Sequence, residues 1–441
     1  MKKTVLCRMA LVWGSGLMIL GCCGGYPADL AYFDGFVKQE FSENGGSTLS
    51  DVVDLYVDYS TCVAEAATSD FFKATHPAIV DCNPNYYSIK GRAITMETSD
   101  RDEVYRLLRS IREVNNADLK TAVANITSSD HQAVLITDGE FFPDNIVRDN
   151  LDNPYLAPSI RDWINAGHDI YIYSEPYLES GRFNKFRYYM IFTDDDIQDN
   201  LNKKFVRSAP SMEDVLVLHL GSGVPNMEFT KKFPEVNPAL SAIETPEVKD
   251  HVFIDVQLAW DDIEKYLRTG DIDQDYILRG MSIQTKDEDC YRIKEIEPVV
   301  YQLYDQYVQY ADSAAVEGHL PVFDKDEFEG VEEVFAIDKK AFKKNGEVIL
   351  KLSDDFSFSD LSQEHDNLFK VDFVIVDAED NFSNNEEINS GFMWNSISRA
   401  NNNAKNTSLY QSISQVLREP KMNPKRDRKV IYTVYIKMLP Y

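Results

Sequence analysis

The sequence predicts an α/β protein, with a doubly wound, mostly parallel sheet followed by a mainly-β carboxyl-terminal region of sandwich type. Three observations carry this. Two apolar, β-branched runs, Val52-Val53-Asp54-Leu55-Tyr56-Val57-Asp58 and Ala133-Val134-Leu135-Ile136-Thr137-Asp138, each end in a carboxylate. Such runs read as buried parallel strands with polar groups at their carboxyl ends. Between residues 49 and 210 strand-like and helix-like segments alternate, as in a parallel sheet covered by helices on both faces. After about residue 211 several strand-like segments alternate apolar with polar residues, the pattern of half-buried antiparallel strands.

Within the first region the strand ending at Asp58 leads into Cys62 to Lys73, rich in alanine and phenylalanine and read as a helix. Ala78 to Cys82 and Tyr86 to Thr95 read as strands. Asp102 to Arg112 places Val104, Leu107, Leu108 and Ile111 at helical spacing, and a second helix runs from about Asp118 to Ile126. The strand into Asp138 follows, then a helix over Leu156 to Ala166 and strands at His168 to Tyr173 and Arg187 to Thr193. Asp194-Asp195-Asp196 reads as the start of a last helix, acids at its positive end. In the second region Val215–Leu220, Val252–Val256, Val348–Leu352, Val371–Val376 and Val430–Ile436 are strand-like, and Leu409 to Leu417 is helical. Val299 to Tyr310 fits either class.

A chain of 441 residues is too long for one ordinary core. The reading divides it into a signal peptide at 1–21, a glycine- and proline-interrupted tether at 22–48, the α/β domain at 49–210, a linker or extension at 211–245, and the mainly-β domain at 246–441. A formal charge of −28 argues against a nucleic-acid partner, because nothing here neutralises phosphates at scale. The acidity fits solubility, cation binding or attraction to a basic partner.

At the amino terminus Lys2, Lys3 and Arg8 precede an apolar stretch from Ala10 to Leu20, a targeting pattern. Ile19-Leu20-Gly21-Cys22 resembles the lipobox of bacterial lipoproteins. That resemblance implies lipidation of Cys22 and a place in the bacterial cell envelope, the chain held on a membrane by more than one acyl chain. Cys62, Cys82 and Cys290 make neither a disulfide framework nor a zinc site with ligand spacing.

Ligand sites in open α/β sheets form at the carboxyl edge. Two neighbouring strands there would direct Asp58, Ser60 and Asp138 at one spot, where a hard cation could bind through oxygen. The alternative is local: Asp58 and Ser60 capping the following helix. Asp58-Tyr59-Ser60-Thr61 lacks the second aspartate that an aspartyl-phosphate phosphatase needs two positions on. Asp271, Asp273 and Asp275 start like an EF-hand loop, but Tyr276 replaces its glycine and Ser282 its glutamate, so the segment reads as an exposed acidic turn.

Taken together, residues 49–210 resemble a von Willebrand factor type A domain, which carries a metal-ion-dependent adhesion site. The resemblance rests on Asp58-Tyr59-Ser60-Thr61-Cys62 at the family's Asp-x-Ser-x-Ser position and on Asp138-Gly139 at the end of the later strand. Two positions depart: the second serine is Cys62, and the family's threonine falls at Ala117 in Asn115-Asn116-Ala117-Asp118-Leu119. Sulfur is a poor ligand for Mg²⁺, and alanine is none. The resemblance implies Mg²⁺ or Mn²⁺ on Asp58, Ser60 and Asp138, with Asp118 and Thr121 as further candidates. The function it implies is non-catalytic binding of an unidentified protein ligand. The competing class is a metal-dependent envelope hydrolase on the same acidic edge, for which Glu140 is the candidate general base.

Overall fold

The computed structural model describes residues 32–33, 35–37, 48–114, 117–140, 154–181, 183–195, 197–209, 214–221, 227–229, 234–244, 251–257, 259–268, 275–284, 290–316, 320–321, 323, 328–331, 334–392, 394–398, 401–406, 408–418 and 428–440. Cys22, Asn115, Asn116, Asp196, Asp271 and Asp273 lie outside them. Among the described residues no helix is long and apolar enough to cross a membrane.

The first sheet contains seven strands: β1 (Ser50–Asp58), β2 (Asn85–Lys90), β3 (Ala93–Thr98), β4 (His131–Thr137), β5 (Asp169–Glu179), β6 (Phe183–Thr193) and β7 (Leu216–Leu220), in the order β3-β2-β1-β4-β6-β5-β7. Its centre is parallel, β1 pairing with both β2 and β4. Its flanks are antiparallel, a departure from the mostly parallel expectation. The reason is local. β5 turns straight back into β6 through Ser180 and Gly181, both at positive φ, so β6 inserts between β4 and β5. Apolar runs alone do not distinguish such a hairpin from two parallel strands.

Helices cover both faces. On one lie α1 (Thr61–Ala64), α2 (Asp70–Val80), α3 (Arg101–Leu108) and, later in the chain, Leu201–Ser208; on the other lie α4 (Leu119–Thr127) and α5 (Ala157–Asn165). We call Leu201–Ser208 α6. Residues 78–80, expected as a strand, finish α2 instead: Thr75, His76, Ile79 and Val80 are buried at helical spacing. The 86–95 strand is really β2 and β3, broken at Gly91 with φ +64°. Asp194 and Asp195 do not open α6, whose N-cap is Asn200.

The second region forms two further large sheets. β10 (Ser241–Glu244), β11 (His251–Val256), β20 (Val430–Met438), β17 (Asn367–Asp380), β13 (Tyr291–Gln302) and β14 (Glu329–Gly330) make one. β15 (Phe335–Ile337), β16 (Glu347–Leu352), β12 (Leu278–Ile283) and β8 (Met227–Phe229) make the other, with β9 (Glu235–Val236) beside β12. Among the described residues β18 (Trp394–Ser398) and β19 (Asn401–Asn406) pair with each other in a separate two-stranded sheet. Val371 and Phe373 of β17, Val434 of β20, Met281 of β12 and Leu350 of β16 share one core, so the two large sheets pack face to face. Trp260–Leu267 (α7) and Lys339–Asn345 (α9) adjoin that core; Tyr304–Ala315 (α8) covers the far side of the larger sheet.

Two segments cross the expected boundaries. Phe33, Phe36 and Val37, inside the stretch read as a tether, are buried against Tyr307, Tyr310 and Phe253. Their i, i+3, i+4 spacing is a short helical stripe hidden among the glycines. Late in the chain Ser408–Arg418 (α10) packs on α5, and Leu409, Ile413, Val416 and Leu417 join the core of the first sheet. Two hydroxyls of that sheet, Ser174 Oγ and Tyr188 Oη, donate to the Gly391 carbonyl at 2.7 and 2.9 Å.

Candidate functional site

The parallel register places Val57 opposite Ile136, so Asp58 and Asp138 leave β1 and β4 at the same carboxyl edge. Both are buried, 1% and 5% exposed. Thr137 Oγ1 donates to Asp58 Oδ2 at 2.8 Å, and the Glu140 N–H donates to Asp138 Oδ1 at 2.8 Å. Asp58 Oδ1 and Ser60 Oγ are buried with no hydrogen-bond partner of normal geometry. Ser60 occupies the N-cap position of α1, yet its side chain caps nothing. The local capping role is therefore not what Ser60 does here.

Burial raises the pKa of Asp58 to about 7, against the partial help of Thr137 and Ser60. Asp138 is pushed up as well, first by burial and then by the charge of Asp58. The two carboxylates thus sense one another, and a proton or a cation between them relieves both burial and repulsion. Cys62 is fully buried beside them, and its thiol is pushed far up by burial and by Asp138. It remains a neutral thiol at this edge and offers a hard cation little.

Ala117 is buried and contributes no donor. Asp118 and Thr121 are occupied with one another at the start of α4: the Asp118 carboxylate accepts from the Thr121 N–H at 3.1 Å and from its hydroxyl at 2.8 Å. Asp58, Ser60 and Asp138 bring oxygen atoms to this edge, the ligand type that hard dications take.

What encloses this edge was not foreseen. β6 pairs with β4 only as far as Tyr188, and β5 with β7 only as far as Ser174. The five pairs from Glu175–Arg187 to Glu179–Phe183 run on alone as a two-stranded ribbon of roughly 17 Å. Lys185 Nζ on this ribbon sits 2.7 Å from Glu140 and also pairs with Glu179. Arg187, 1% exposed, donates to the Cys62 carbonyl at 2.9 Å and to Glu175 at 2.7 Å, and stacks over Tyr177. Ser180 N–H at the turn donates to Glu65 at 3.1 Å. The signal that could have found it is Lys185 and Arg187 on one face of an otherwise apolar strand: buried cations there require anionic partners.

Comparison with protein-family models, curated proteins and solved structures gives no match to this chain. The site therefore stands on its own geometry. Glu140, the candidate base, is held by Lys185, and burial raises its pKa.

Proposed function

We propose that this chain is a cell-envelope lipoprotein, anchored on a membrane through lipidated Cys22. In this reading its α/β domain holds Mg²⁺ or Mn²⁺ on Asp58, Ser60 and Asp138 and binds a protein partner at that edge without catalysis. The observation that carries it is the pair of buried carboxylates, Asp58 and Asp138, which repel one another at one sheet edge beside the buried Ser60 hydroxyl. Two buried like charges are costly to hold together, and a bound dication offsets both. When bound, the ion would supply an open coordination position for a carboxylate of the partner. The residues of the chain itself do the rest. Asp58 and Asp138 furnish charge, Thr137 fixes the orientation of Asp58, and the Glu175–Arg187 ribbon shields the edge from water. Hydrolysis is the weaker reading, because the ammonium of Lys185 occupies Glu140.

Calorimetric titration of the detergent-solubilised full chain at pH 8 with Mg²⁺, Mn²⁺ and Ca²⁺ tests the reading. One-site binding of Mg²⁺ or Mn²⁺, lost in Asp138→Asn, is expected. No heat from any of the three with folded protein ends it.

A further inference from the structure

We infer that the opposite edge of the same sheet carries a second and chemically different cation site, formed by Asp169, Asp195 and His219 and suited to a borderline first-row dication such as Zn²⁺. β5 runs parallel to β1, because two successive antiparallel pairings separate it from β4. Asp169, the first residue of β5, therefore lies at the amino edge, away from Asp58. Asp195 follows the end of β6, and His219 lies near the end of β7. Three sequence-distant segments thus meet, and one ligand atom from each falls within 4.8 Å of the others.

The donor set is mixed, one imidazole nitrogen and two carboxylates, and this favours zinc-like ions over Mg²⁺. His219 Nε2 lies 2.8 Å from Asp169 Oδ1, a hydrogen-bond contact that would open to about 3.4 Å between two tetrahedral ligands on one ion with bonds of about 2.1 Å. Each donor is oriented from behind. The Tyr171 hydroxyl donates to Asp195 Oδ2 at 2.7 Å and Asn200 Nδ2 to Asp195 Oδ1 at 3.1 Å. The Asp195 N–H donates to Asp169 Oδ2 at 2.9 Å, and the Tyr171 ring stacks on His219 at 4.3 Å and 4°. Outer partners of this kind fix ligands for a metal, and each carboxylate oxygen keeps a second lone pair for it.

A separate observation points to the same two atoms. Residue 221 is glycine, and a Cβ there would stand 1.9 Å from Asp169 Oδ1 and 2.8 Å from His219 Nε2. A side chain at this position would cover both donors, and glycine carries none. Asp195 is exposed and Asp169 buried, which gives an entry path from solvent. On binding, any proton on His219 Nε2 leaves to solvent, and the two carboxylates balance the dication.

The test uses the full chain without a histidine tag. Equilibrium dialysis against Zn²⁺ with metal analysis gives stoichiometry, and Co²⁺ gives a visible spectrum that Zn²⁺ displaces. With Mg²⁺ in excess throughout to occupy the other edge, the expected result is one Zn²⁺ per chain, weakened at least tenfold in His219→Gln and in Asp195→Asn. Asp195→Asn, at an exposed position, decides the matter if His219→Gln does not fold. Absence of stoichiometric Zn²⁺ in the wild type overturns the inference, leaving a hydrogen-bonded polar cluster. Binding undiminished in both edge variants overturns it equally and leaves the Mg²⁺ reading of the other edge untouched.

Discussion

Replacing Asp58 by asparagine should make the protein more stable at pH 8 and leave it little changed at pH 4. The folded-state pKa of Asp58 is raised from 3.8 to about 7, chiefly by burial. A raised carboxyl pKa means the folded state holds the proton more tightly than the unfolded state does. Between about pH 4 and pH 7 stability therefore falls as pH rises, and above pH 7 the whole penalty is present. At 1.36 kcal/mol per pKa unit the penalty is about 4 kcal/mol. Asparagine keeps an oxygen for the Thr137 hydroxyl, which donates to Asp58 at 2.8 Å, and removes the charge. Urea unfolding in divalent-free buffer at pH 4 and pH 8 measures the effect. An Asp58→Asn protein that is equally destabilised at both values would refute the reasoning, since Asp58 would then carry no buried charge at pH 8.

Cation binding at this edge should weaken as pH falls through about 7, because Asp58 then takes up a proton that competes with the ion; calorimetry across pH 6–8 reads this. Cys62→Ser places a hydroxyl where a buried thiol now stands, and should tighten Mg²⁺ about tenfold, or ~1.4 kcal/mol, in the same titration. Lys185→Met leaves Glu140 and Glu179 without their buried cation and should cost about 3 kcal/mol at pH 8, and less at pH 5, where the raised pKa of Glu140 lets it take up a proton; urea melts compare the two. Ile413→Ala, in a fully buried position, should cost about 3 kcal/mol and loosen the first sheet, seen as faster amide exchange in β4 and β6.

The strands with the plainest patterns were legible. Leu55, Val57, Val134 and Ile136 are fully buried, and their runs sit side by side as their β-branched composition implies. The edge pairing of Asp58 with Asp138 followed from those runs alone. The β5–β6 hairpin was not legible as such, because Ile170 and Ile172 on one strand and Met190 and Phe192 on the other look the same in either orientation. Val215 to Leu220 read as part of the second region, yet β7 extends the first sheet. Its apolar run carries no mark of which sheet it joins. The Asp169–Asp195–His219 cluster was invisible for a related reason: three residues from separate segments meet only through strand order. Local pattern reports which face a strand buries; it does not report its neighbour.

The insertion of α10 into the first core has a consequence for biogenesis. A chain made from its amino terminus completes β6 about two hundred residues before Leu409 and Ile413 emerge. Until then the apolar surface of α5 that those side chains cover has no mate. The growing chain must therefore pass through a stage in which its leading half is sticky and unfinished, and factors that hold nascent polypeptides would act on it in that interval.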